Sequence, residues 1–465
     1  MKTFSFLLIA FLTSIPFTAQ DISGQWNGAL KVQGTQLRLV INITKTADGY
    51  SATMDSPDQG ATGIPINSTT FENSKLYFAI PNATIEYNGD LKDDEFTGTF
   101  KQNGQEFPLN FSRNAIEKLV VKRPQEPIKP YSYYAEDVTF QNTKANISLA
   151  GTLTLPKKEG NFPVVILISG SGPQNRDEEI LGHKPFLVIS DYLSKNGIAV
   201  LRYDDRGVGK STGNFKAGTS ADFATDVESA IAYLKTRKEI NKKKIGLIGH
   251  SEGGLIAPMV ASNSKDVAFI VMLAGPGIQG DKILLLQTEL IEKGMGVSES
   301  EINKGLETNA KLFDLIIKAT DNQQLKIDLT NKLNELFAND PTAEIPNGMS
   351  KDDFIAVQVD QITTPWMQYF IKYDAAPALE KVKCPVLALN GAKDLQVPPN
   401  ENISAIATAL KKGGNKKVTT KIFPNLNHLF QESDTGLPSE YGIIEQTIAP
   451  IVLEEITSWI KLQTK

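Results

Sequence analysis

Hydrophobic and polar residues alternate through residues 21–112, as in Leu37-Arg38-Leu39-Val40-Ile41-Asn42-Ile43 and Lys75-Leu76-Tyr77-Phe78-Ala79-Ile80. Turn signals punctuate the runs at Asp48-Gly49, Pro57-Asp58, Asn88-Gly89 and Asn103-Gly104. A period of two, broken at regular intervals, predicts strands with one buried face. The segment therefore reads as a small all-β domain, a barrel or sandwich, with a lipocalin-like barrel as the nearest pattern. It contains no histidine. The stretch Lys122-Arg123-Pro124-Gln125-Glu126-Pro127-Ile128-Lys129-Pro130 then sets prolines among charges. Residues 113–132 are expected to form a stiff, extended linker.

From residue 133 the rhythm changes. Two antiparallel strands are expected at Val138-Thr139-Phe140 and at residues 147–155. A continuous apolar run follows at residues 162–168, the pattern of a strand buried on both faces, and further buried strands are expected at 198–203, 244–248 and 269–275. Helical periodicity falls between them, near 185–196 and over 219–236. Strands alternating with helices predict an α/β fold with a mostly parallel sheet and helices on both faces. Residues 281–378 carry helical periodicity with no buried-strand run, and are expected to form a helical cap inserted into the core. The sheet resumes at 385–394 and 418–423, with a helix at 400–412 between them and a closing helix at about 444–462. The core is thus 133–280 and 379–465.

Composition narrows the class. A chain of 465 residues calls for more than one domain, and 41% hydrophobic with 22% charged residues is globular. A net charge of −5 gives no basic footprint for nucleic acid and no polybasic membrane patch. Lys2 followed by Phe4-Ser5-Phe6-Leu7-Leu8-Ile9-Ala10-Phe11-Leu12 and a polar exit at Thr18-Ala19-Gln20 describes a signal peptide over residues 1–20. The run falls short of the about 20 apolar residues a membrane span needs, so no transmembrane anchor is expected in the mature chain. Export to the periplasm or the extracellular space follows as an expectation. Cys384, the single cysteine, excludes an intrachain disulfide and a cysteine zinc site, and no metal or organic cofactor is expected.

The chemistry centres on Lys244-Ile245-Gly246-Leu247-Ile248-Gly249-His250-Ser251-Glu252-Gly253-Gly254. A strand, a G-x-S-x-G turn and a helix place Ser251 on a sharp elbow with its hydroxyl exposed. A serine hydroxyl needs a neutral imidazole, and that imidazole needs a carboxylate to fix its tautomer. The sequence holds three histidines, His183, His250 and His428. His250 adjoins the serine, with its side chain expected to point away, and His183 precedes the elbow. His428 alone lies downstream, after the last strand, and the order Ser…Asp…His then selects Asp394. Backbone N–H groups of Glu252 and Ser171 are the expected oxyanion donors. The Glu252 side chain is expected to be structural, and Asp205 is disfavoured as the triad acid because it precedes the serine. Gly207-Val208-Gly209-Lys210-Ser211-Thr212 imitates the end of a phosphate-binding loop, but Asp204 stands where that loop needs glycine.

Ser169-Gly170-Ser171-Gly172-Pro173-Gln174-Asn175-Arg176-Asp177, Leu201-Arg202-Tyr203-Asp204-Asp205-Arg206-Gly207, the elbow, and Asn390-Gly391-Ala392-Lys393-Asp394 complete a set. With these motifs, residues from about 133 to 465 resemble the α/β-hydrolase superfamily, and within it the capped bacterial carboxylesterases. Ser169 departs from the histidine of many relatives. The resemblance implies an exported serine esterase acting on a small-molecule ester. A peptidase, a thioesterase and an acyltransferase share the same machinery, and a ligand-binding protein with a vestigial core is the non-catalytic alternative.

Overall fold

A computed structural model describes residues 21–32, 35–59, 61–102, 105–117, 122–339, 345 and 349–465. The expected signal peptide lies outside these residues. The chain divides into two compact units.

The N-terminal unit is built from β1 (Gly24–Val32), β2 (Thr35–Thr46), β3 (Gly49–Ser56), β4 (Ala61–Ile66), β5 (Ser68–Glu72), β6 (Lys75–Ile80), β7 (Ile85–Lys92), β8 (Glu95–Gln102) and β9 (Gln105–Ser112). They form one sheet in the order β4-β3-β2-β1-β9-β8-β7-β6-β5. Its edge strands β4 and β5 are consecutive in the chain and β3 touches β5, so the sheet curls towards closure. Where a lipocalin-like barrel would enclose ligand space, large rings fill this interior. Trp26 packs on Phe96 with centroids 4.5 Å apart, and Tyr87 lies 5.1 Å from both Phe78 and Phe111.

In the C-terminal unit the sheet comprises β10 (Tyr134–Asn142), β11 (Ile147–Leu155), β12 (Phe162–Ile168), β13 (Ala199–Tyr203), β14 (Ile240–His250), β15 (Phe269–Leu273), β16 (Val386–Gly391) and β17 (Val418–Phe423). The order is β10-β11-β13-β12-β14-β15-β16-β17, antiparallel over β10, β11 and β13 and parallel from β13 onward. This is an α/β-hydrolase fold preceded by an antiparallel β unit. Val164 and Ile166 face one helical layer, formed by α2 (Ser220–Thr236), α3 (Glu252–Asn263) and α10 (Pro399–Lys412). Val165 and Leu167 face the other, formed by α1 (Pro185–Lys195) and α12 (Pro450–Gln463). Burial on both faces is why β12 reads as a continuous apolar run.

The closing helix begins at Pro450, later than expected, because proline suits the first helical position. A short helix α11 (Pro438–Tyr441) precedes it. Helices α4 (Gly280–Gly294), α5 (Glu299–Lys318), α6 (Asn322–Asn339), α7 (Lys351–Ile362), α8 (Pro365–Lys372) and α9 (Ala376–Leu379) lie between β15 and β16. They carry a small core of their own around Ile316, Leu325, Leu329, Ile355 and Ile371.

Part of the expected linker is held firmly. The Arg123 guanidinium donates to the carbonyls of Leu181, Gly182, Gly442 and Ile444. The Gln125 side chain bonds Thr447 and Ile448. Charge and proline content do not reveal such docking.

Candidate active site

After β12 the chain adds β13 on one side, then returns to place β14 on the other. That reversal opens a crevice at the carboxyl ends of β12 and β14, the usual ligand position in open α/β sheets. Residues 169–173 follow β12 and Ser251 follows β14, so both arrive there.

Ser251 adopts φ 51°, ψ −119°, a strained conformation for a non-glycine residue. Its neighbours make the strain tolerable. A Cβ on Gly249 would sit 1.9 Å from the Gly253 carbonyl oxygen, and one on Gly253 would sit 2.1 Å from that of Ile168. Only glycine lets strand and helix meet so closely. The Ser251 N–H donates to the Leu273 carbonyl at 2.9 Å, which fixes the turn to β15.

Asp394 follows β16 and is buried. Its Oδ1 accepts from the Gln396 and Val397 N–H groups, both at 2.9 Å. Its Oδ2 faces His428 Nδ1 at 2.8 Å. That leaves His428 Nε2 as the free ring nitrogen. Among the described residues, Ser251 Oγ and His428 Nε2 are not hydrogen-bonded, and catalytic contacts of this kind commonly tighten only when substrate docks. The strand that leads to Ser251 and the loop that carries His428 meet nonetheless, because His250 Nε2 lies 3.1 Å from the His428 carbonyl oxygen and the two imidazole centroids are 4.9 Å apart.

Among the described residues, neither of the two N–H groups expected to hold an oxyanion is bonded within the chain. Glu252 opens α3, where the first N–H groups have no intrahelical acceptor. Ser171 is exposed, and among the described residues its N–H bonds nothing in the chain. The turn abuts the elbow: a Cβ on Gly170 would meet the Ser251 Cβ at 3.3 Å.

The carboxylates around the elbow have structural partners. Glu252 Oε1 accepts from Ser220 Oγ at 2.5 Å and from the cap's Trp366 Nε1 at 2.8 Å, and burial raises its pKa. On either side of Asp205 the charged residues form ion pairs, Asp204 with Arg176 and Arg206 with Asp226. Asp205 instead accepts from Ser169 Oγ at 2.7 Å and from the Gln174 N–H at 3.0 Å. Burial, reinforced by Glu252 and Glu178, pushes its pKa up to about 8. The Ser169 hydroxyl is thus engaged in holding the turn to Asp205.

The remaining candidates separate cleanly. Desolvation lowers the His183 pKa to about 4, and its ring bonds Thr447 and the Tyr441 carbonyl. In the loop that imitates a phosphate site, Asp204 Oδ2 accepts the Lys210 N–H at 3.3 Å, so a carboxylate occupies the place a phosphate would need. Burial raises the half-buried Cys384 thiol to about 11, which leaves it unreactive. Sequence reasoning set His250 aside, whereas its ring is wedged between Glu178 and the His428 loop. The G-H-S spelling was a visible signal for it; Glu178 and Trp366 had none.

Several known proteins are similar to this chain. Esterase EstD of Thermotoga maritima is 27% identical over 341 residues, 72% of this chain and 69% of that protein. A putative carboxymethylenebutenolidase of Synechocystis is 31% identical over 140 residues, 27% of this chain and 52% of its own. The Pyrococcus furiosus esterase Pf2001 superposes with TM-score 0.43 at 17% identity, over 75% of this chain and all of that one. The family profile described as serine aminopeptidase, S33, matches residues 186–434, more than half of the chain. That span contains Ser251, Asp394 and His428, and the chain belongs to this family of α/β-hydrolases.

Proposed function

We propose that the chain is an exported serine esterase that cleaves small carboxylic esters through an acyl-enzyme. His428 Nε2 takes the Ser251 proton as Oγ attacks the ester carbonyl. The tetrahedral oxyanion is held by the N–H groups of Glu252 and Ser171. Collapse expels the alcohol, which receives the proton back from His428. Water, activated by the same nitrogen, then releases the acid and restores Ser251. Asp394 fixes the His428 tautomer throughout, since its Oδ2 faces Nδ1.

The observation that carries this reading is the buried Asp394–His428 pair, whose loop meets, through His250, the strained turn that carries the half-buried Ser251. The name of EstD supports an ester as substrate. An aminopeptidase must also hold a substrate ammonium, and each carboxylate beside this elbow already has partners within the chain, Glu178 through Oε1 alone. Glu252 is bound by Ser220 and Trp366, Glu178 by Gly170 and His250, and Asp205 is neutral below about pH 8. Export rests on the apolar run near the N-terminus.

The test is a panel of p-nitrophenyl acetate, butyrate and octanoate against aminoacyl p-nitroanilides. Ester turnover well above anilide turnover is expected, and the chain-length profile sizes the acyl pocket. Preference for the anilides would overturn the ester assignment.

A further inference from the structure

His250 ends β14, one residue before Ser251, and its ring is buried. Nδ1 lies 3.0 Å from Glu178 Oε1, and Nε2 lies 3.1 Å from the His428 carbonyl oxygen. A carbonyl oxygen can only accept. A neutral imidazole has a single N–H, so against two acceptors one of its nitrogens would set a lone pair on oxygen. An imidazolium donates to both. Glu178 Oε1 also accepts the Gly170 N–H at 2.7 Å, in the turn that carries the Ser171 donor.

We infer that His250 is a doubly protonated positioning residue, a buried cation that ties the oxyanion turn, through Glu178, to the loop bearing His428. The inference rests on the catalytic roles proposed for Ser251 and His428. The groups facing the ring are few. Glu178 comes from the segment after β12, His428 from that after β17, and Asp394 from that after β16. A small cavity lined by His250 and Glu178 is otherwise apolar, with Pro185, Phe186, Leu273, Leu429, Phe430 and Ile448 among its walls. Desolvation by these side chains favours the neutral ring, but Glu178, the His428 carbonyl and Asp394 outweigh it and raise the His250 pKa above the ordinary imidazole value.

The arrangement has a catalytic consequence. Donors and base must hold their spacing while the oxyanion forms, and a buried ion pair with a third hydrogen bond joins the two segments that carry them. Neutralising Glu178 removes the counter-ion and leaves the turn tied to the base loop by uncharged, weaker hydrogen bonds alone. Transition-state alignment then suffers more than substrate binding, so kcat falls while KM changes little.

The test uses the full chain with 15N-labelled histidine, whose three imidazoles give three sets of ring signals. H183Q and H428Q assign them. Two protonated ring nitrogens on His250 at pH 7 are expected in the wild type. E178Q is expected to leave His250 with a single N–H at pH 8 and to lower kcat by about 100-fold, the scale of a remote misplacement of about 1 Å. KM should stay within about threefold, and E178D should recover part of the kcat. A neutral His250 ring in the wild type, or an E178Q enzyme with unchanged kcat, overturns the inference. Because the proton count is read without substrate, it stands or falls apart from the esterase assignment.

Discussion

Asp394→Asn is an isosteric change whose outcome the hydrogen bonds determine. Asp394 Oδ1 takes two backbone N–H groups, from Gln396 and Val397, while Oδ2 faces His428 Nδ1. An asparagine has one acceptor oxygen and one NH2 group. Turning the NH2 towards Gln396 and Val397 would set donors against donors and strand two N–H groups, at about 1–3 kcal/mol each. The oxygen therefore stays with the backbone and the NH2 points at His428. Its N–H then donates to Nδ1, which moves the ring proton to Nε2 and leaves that nitrogen unable to accept from Ser251. A wrong tautomer in an intact site costs about 10⁴-fold in kcat. At about 1.36 kcal/mol per decade, that is about 5.4 kcal/mol of lost transition-state stabilisation. The assay is the rate on p-nitrophenyl butyrate, beside a thermal melt to show that the fold is kept. A folded Asp394→Asn enzyme retaining more than about a tenth of wild-type kcat would refute the tautomer argument.

Two further changes probe the scaffold. Gly253→Ala places a Cβ 2.1 Å from the Ile168 carbonyl oxygen, a clash between backbones that cannot rotate away. A loss of about 1–3 kcal/mol or more in urea unfolding is expected, and wild-type stability would contradict the packing. Asp205 holds its proton to about pH 8 in the fold, against an ordinary value of 3.8. Between those values the folded chain binds more protons than the unfolded one, so Asp205 makes stability fall as pH rises from about 4 to about 8. Asp205→Asn mimics the protonated acid and should flatten that slope, as read from urea midpoints at pH 5 and pH 8. An unchanged slope would assign the pH dependence to other groups.

Much of this could be read from the chain. Buried parallel strands announce themselves as apolar runs, and the glycines around Ser251 record a close approach that no other residue permits. The scarcity of histidine made His428 stand out. What stayed hidden depends on contacts between distant segments. Glu178 reaches His250 across 72 positions, and Trp366 reaches Glu252 across 114. Neither contact leaves a periodicity or a local motif. Arg123 looked like a linker charge because its four carbonyl partners come from two far loops. Asp205 sits between two ion-paired residues, and only burial distinguishes it from them.

The central claim is that Ser251 is the nucleophile, and covalent labelling tests it most directly. A serine-directed phosphonate should abolish p-nitrophenyl butyrate turnover and add its mass to the peptide containing Ser251. Ser251→Ala should remain folded, take no label and lose turnover by about 10⁴-fold or more. A Ser251→Ala chain that hydrolyses the ester at the wild-type rate, or a label on another residue, would contradict the account.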